Sequence, residues 1–161
     1  MTHSVLHEMR ELLNEDWAQA FSFDEDHARS KAEIILCFKD TGLPIPLKIR
    51  ISDEALNKGR INWRELTRAI KDCLPEKIIN KQISDVKYLL RMASRRKIKD
   101  VEQDVLEWLQ KTAQLVRQMF GPEKRDGFLV GVDLNTNFKA GSIQSLESIT
   151  EEKIRYLLEL Y

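Results

Sequence analysis

Six cations crowd one short stretch of the chain: Lys87, Arg91, Arg95, Arg96, Lys97 and Lys99. Positions 87, 91 and 95 repeat every fourth residue, so a helix through them sets three positive charges in a row. Phosphates along a nucleic-acid backbone match such a row, and each one neutralised releases counterions. An acidic protein surface is the other natural partner, and a solvated face or one paired with an acidic helix of the same chain accounts for the same letters. Aromatic residues for stacking on unpaired bases are sparse, Tyr88 being the ring at hand. Charge is nevertheless sorted along the sequence. Residues 68–99 hold ten cations and three anions, residues 1–33 three cations and eight anions, while the whole chain balances 26 against 26. Zero net charge excludes indiscriminate attraction to polyanions and leaves room for one oriented patch.

The remaining chemical constellations are incomplete. Gly131-Val132-Asp133-Leu134-Asn135-Thr136-Asn137 places an aspartate after an apolar run. In part this resembles the first metal or phosphate site of ribonuclease-H-like and actin-like ATPase folds. Both need a long run of strands afterwards, and 28 residues follow Asp133. Read as a calcium loop from Asp133, the sixth position is Phe138 instead of glycine and the twelfth is Gln144 instead of glutamate. A strand followed by an Asx-type turn explains the segment more simply. A metal-dependent nuclease requires two carboxylates around its cation. Asp40 and Lys48 supply part of the pattern, but Pro46 occupies the second acidic position. His3 and His7 share a helix face at a chain start, a poor scaffold for a metal, and Asp24-Glu25-Asp26-His27 reads as helix-start chemistry. Cys37 and Cys73 have no local base and no zinc spacing, which suits two buried thiols in a reducing compartment. Gly-x-Ser-x-Gly and glycine-rich phosphate loops are missing from the sequence. Neither a cofactor nor a metal is implied.

The elements that must carry these residues follow from apolar periodicity. Val5, Leu6, Met9, Leu12, Leu13, Trp17 and Ala20 predict an amphipathic helix that ends near Phe21. Ile34–Phe38, the turn chemistry of Asp40–Pro44 and the alternation Ile45, Leu47, Ile49, Ile51 predict a β-hairpin over 32–52. Asn62 with Glu65 caps a helix that stops before Pro75, and Ser84 can cap another through Val86, Leu89, Leu90 and Met92. From Ile98 a long apolar stripe runs to Gly121-Pro122. Residues 127–133 read as a third strand. Ser148 or Thr150 can open a last helix with Ile154, Leu157, Leu158 and Tyr161 on one face, available for its own core or for a dimer seam.

These patterns predict an α+β fold over 1–161 as a single compact domain. A small, mostly antiparallel sheet, the hairpin 32–52 plus strand 127–133, packs against N-terminal, central and C-terminal amphipathic helices. Charged residues interrupt the first twenty positions, and an uninterrupted apolar run of ~18 residues is missing, so a soluble cytoplasmic protein is expected. The functional expectation is a non-enzymatic binding or regulatory protein whose basic helical segment contacts a nucleic-acid backbone or a nucleoprotein complex. The alternative is a protein–protein adaptor or inhibitor that meets an acidic partner, with helix stripes allowing a homodimer.

Overall fold

The computed structural model describes residues 3–31, 34–47, 62–134 and 138–160. Helices dominate and the sheet is two-stranded and antiparallel, an α+β fold. Where the sequence shows no internal boundary, contacts group into two compact units, Met1–Leu74 and Pro75–Tyr161.

In the first unit, α1 (His3–Leu13) buries Val5, Leu6 and Met9 and turns Glu8 and Glu11 to solvent. The stripe expected to reach Ala20 is broken after Leu13, where the chain tightens into a 3₁₀ turn over Asp16–Ala20 that buries Ala18. Phe21-Ser22-Phe23, predicted as a helix end, forms strand β1 (Phe21–Phe23) antiparallel to β2 (Leu36–Phe38). Phe21 faces Phe38 across this pair with ring centroids 6.0 Å apart, the kind of cross-strand aromatic contact that stabilises a short ladder. Between the strands, the Asp24 carboxylate accepts the His27 amide at 3.1 Å and starts α2 (Glu25–Lys31), which confirms helix-start chemistry there. Arg10 of α1 grips Glu25 with a two-pronged ion pair, one arm at 3.0 Å.

The hairpin expected over 32–52 is present in part. Gly42, at φ 71°, makes the turn, the Phe38 amide donates to the Leu43 carbonyl at 2.9 Å, and the Ile45 amide donates to the Leu36 carbonyl at 3.0 Å. The ladder partner of β2 is β1, however, and the arm after the turn contributes an isolated bridge between Cys37 and Pro44. Lys48, Arg50, Ile49 and Ile51 lie outside the described residues. Helix α3 (Trp63–Lys71) begins as its cap predicts, with Asn62 Oδ1 accepting the Glu65 amide at 3.1 Å.

Every regular element of the second unit among its described residues is a helix. Helix α4 (Pro75–Arg91) is continuous through Ser84, so the cap expected at Ser84 is not used. Pro75 stands at the first helical position, where its fixed φ and missing N–H cost nothing, and Ile78, Ile79, Gln82, Ile83 and Val86 make one buried face. Helix α5 (Ile98–Phe120) spans the predicted stripe, burying Val101, Val105, Trp108, Leu109, Val116 and Met119. Two hydrogen bonds join α5 to α4 inside the core. Trp108 Nε1 donates to the Gln82 backbone carbonyl at 2.8 Å, and Thr112 Oγ1 donates to Gln82 Oε1 at 3.0 Å, so the buried side-chain oxygen is satisfied.

The third strand expected over 127–133 is not formed. Gly121, at φ 99°, stops α5, and Pro122 at once restarts a helix, α6 (Pro122–Phe128), before a turn over Leu129–Gly131. Phe128 is fully buried, packed between the rings of Trp108 and Tyr156, whereas Val130 is 65% exposed. A short apolar run therefore supplies one core residue instead of a strand face. The last helix, α7 (Ile143–Leu158), begins earlier than expected because Ser142 Oγ accepts the Ser145 amide at 3.1 Å. Leu146, Thr150, Lys153 and Leu157 are buried, while Leu158, expected on the inner face, is half exposed. Helix α7 packs on α4, α5 and α6. No helix among the described residues is long and apolar enough to cross a membrane.

Candidate functional site

The second unit presents every one of the six predicted cations to solvent: Lys87 and Arg91 on α4, Arg95 in a 3₁₀ turn over Ala93–Arg95, Arg96 and Lys97 in the link, and Lys99 in the first turn of α5. The turn is pinned by Ala93, which is fully buried, so the chain reverses around an apolar anchor and leaves its charged ends outside. Arg96 is engaged within the unit. Its guanidinium is hydrogen-bonded to Asp104 on α5, which pushes its pKa upward. Among the described residues, Lys87, Arg91, Arg95, Lys97 and Lys99 have no ion-pair partner.

The row expected through positions 87, 91 and 95 is cut because α4 ends at Arg91 and Arg95 belongs to the following 3₁₀ turn, but the unbroken helix carries further cations toward its start. Lys77, Lys81, Ser84, Tyr88 and Arg91 fall at alternating spacings of four and three, and all five are exposed. They mark one solvent-facing stripe. Lys77 and Arg91 are fourteen positions apart, about 21 Å at 1.5 Å per residue. Tyr88 is 60% exposed one turn before the stripe's Arg91 end, with Lys87 alongside. Lys81 is tied loosely to Asp85 at 3.7 Å. A helix capped at Ser84 would leave out Lys77 and Lys81, although Pro75 followed by Glu76 is itself a helix-start signature.

The amino end of α5 adds a second source of positive potential. Lys97 occupies the cap position with extended backbone, and lysine has no acceptor with which to satisfy the amides of the first turn. The positive end of the helix dipole therefore lies at Lys97 and adds to the charge of that residue. Arg91 stands at the other pole, in the last turn of α4, where its charge also offsets the carbonyl end of that helix.

Other candidates separate on inspection. Burial pushes the Cys73 thiol up to about 11, with Asp72 adding to the shift, and burial with Asp24 raises Cys37 as well. Both changes oppose thiolate formation. His7 Nε2 lies 4.0 Å from Glu11, a helix-face contact. Among the described residues, no group of three His, Cys, Asp or Glu side chains converges in a way that could hold a metal ion. Asp133 has a partner, and Asn135–Asn137 lie outside the described residues. Comparison of the chain with protein-family models, curated proteins and solved structures finds no match.

Proposed function

We propose that the second unit binds a nucleic-acid backbone through the exposed stripe of α4 and the amino end of α5, acting as a binding or regulatory protein without catalysis of its own. The observation that carries this reading is the run of solvent-facing cations without ion-pair partners among the described residues, Lys87, Arg91, Arg95, Lys97 and Lys99, with the exposed ring of Tyr88 on the same helix as the first two. Lys87 and Arg91 lie on α4 and the other three on the link and first turn that follow it, a spread of positive charge suited to successive phosphates, and Tyr88 gives one stacking platform for an unpaired base. A cytoplasmic setting belongs to the same proposal.

Fluorescence anisotropy with labelled single-stranded and duplex oligonucleotides tests it. Five phosphate contacts give a slope of log K against log salt near −4.5 for duplex, so raising salt from about 50 to 200 mM weakens binding by roughly 500-fold. The double variant Arg91→Glu, Arg95→Glu should abolish measurable binding, and Tyr88→Ala should weaken the single strand more than the duplex. Salt-insensitive binding, or binding that survives the charge reversal, overturns the proposal. Co-purification with an acidic protein after nuclease treatment, without oligonucleotide binding, would instead establish the adaptor reading.

A further inference from the structure

The first unit holds a groove of opposite character. Its volume is about 450 Å³, and its walls include Glu8 and Glu11 of α1, Glu15 just beyond, Trp17 of the 3₁₀ turn, and Trp63 and Lys71 of α3. Glu8 and Glu11 are one turn apart on the same exposed face of α1, while Trp63, Thr67 and Lys71 follow at four-residue spacing along α3. Leu12 and the two half-buried indoles supply apolar wall between the carboxylates.

The charges in this groove are not matched among themselves. Glu8 and Glu15 have no ion-pair partner among the described residues, and Glu11 reaches only His7, at 4.0 Å. Lys71 does not close the gap. Its ammonium nitrogen sits 5.0 Å from the centroid of the Trp17 ring, a cation–π placement, with no carboxylate within ion-pair distance among the described residues. Three carboxylates against one lysine leave a formal charge of −2, and the native lysine already shows that the Trp17 face receives a cation.

We infer that this groove docks a Lys- or Arg-bearing peptide segment of a partner protein. Long basic side chains suit it because their methylene stems lie along indole and leucine while their heads reach carboxylates. Carboxylates distributed from Glu8 to Glu15 ask for at least two cations on one backbone. The groove is built wholly from residues of the first unit.

The intrinsic fluorescence of the full chain reads the binding directly, since Trp17 and Trp63 line the groove whereas Trp108 is buried and hydrogen-bonded. Octa-arginine should change the emission saturably at moderate salt, and octa-glutamate should not. The double variant Glu8→Gln, Glu15→Gln should weaken the peptide at least tenfold while leaving oligonucleotide binding unchanged. Lys71→Ala should tighten it several-fold by removing the competing internal cation, an effect that mere loss of structure does not produce. Unchanged affinity in the glutamine variant, weaker binding in Lys71→Ala, or spermidine binding as tightly as the peptide would each overturn the inference.

Discussion

Gly127 is the residue whose replacement tests the packing of the second unit most sharply. It is the penultimate residue of α6, in helical conformation, so alanine there gains up to ~1 kcal/mol of helix propensity. Sterics act the other way. A Cβ at this position would meet the Tyr156 hydroxyl closer than real Cβ atoms come to anything, and the ring carbon bearing that hydroxyl at 3.1 Å. Tyr156 cannot easily retreat, because its hydroxyl donates to the Lys124 carbonyl at 2.8 Å and its ring lies against Phe128, centroids 6.1 Å apart. Displacing it loses a hydrogen bond of about 1 kcal/mol and part of an aromatic contact of ~0.5–1.5 kcal/mol. Gly127→Ala should therefore destabilise the protein by about 1 kcal/mol. In a Tyr156→Phe background the hydroxyl is already gone, and the same substitution should be close to neutral. Urea unfolding of the four proteins in this cycle gives the coupling directly, expected at about 1 kcal/mol. If Gly127→Ala stabilises both backgrounds equally, the close approach of α6 to α7 described above is wrong.

Two further outcomes follow from buried groups. Burial pushes the Lys153 ammonium down, opposed by Glu152, while its nitrogen donates to the Val130 carbonyl at 2.7 Å. The unfolded chain then binds more protons than the native one between the depressed value and the ordinary value near ~10.4, so this lysine's contribution to stability rises with pH through that window. Urea unfolding of wild type and Lys153→Met from about pH 8 upward should show the difference growing with pH in favour of wild type. A constant difference contradicts the desolvation argument, and Tyr156, raised by its own burial, affects both proteins alike. Second, Cys73 should react with a soluble disulfide reagent more slowly than the half-buried Cys37 at pH 8, followed by peptide mass spectrometry. Equal rates would show that Cys73 is not shielded.

Where an element is bounded by explicit chemistry, its end was legible in the sequence. Asn62 with Glu65 marks the start of α3, and Gly121 marks the end of α5. Ambiguity arose where one residue type serves two roles. Pro122 reads as a stop but also starts α6, and Ser84 has cap chemistry yet sits on the exposed side of a continuous helix. Three-residue strands such as β1 are too short for a period of two to emerge. The six cations of the proposed interface were legible because charged side chains seek water whatever the fold. Lys77 and Lys81 required knowing that α4 is unbroken, and the acidic groove required knowing that α1 and α3, some fifty residues apart in sequence, contribute to one cavity. Such non-local meetings leave no trace in local pattern.

The placement of α7 against α4 has a kinetic consequence. Exposed Glu147, Glu151 and Glu152 lie on α7, with Glu159 at its cap, whereas α4 carries exposed Lys77, Lys81, Lys87 and Arg91, so charge in the second unit is partly sorted between two helices that pack together. A charged molecule approaching from solution is therefore turned as well as drawn in. Encounters are sorted by orientation before contact, and ionic strength acts on the association rate by weakening that alignment within a Debye length of ~8–10 Å.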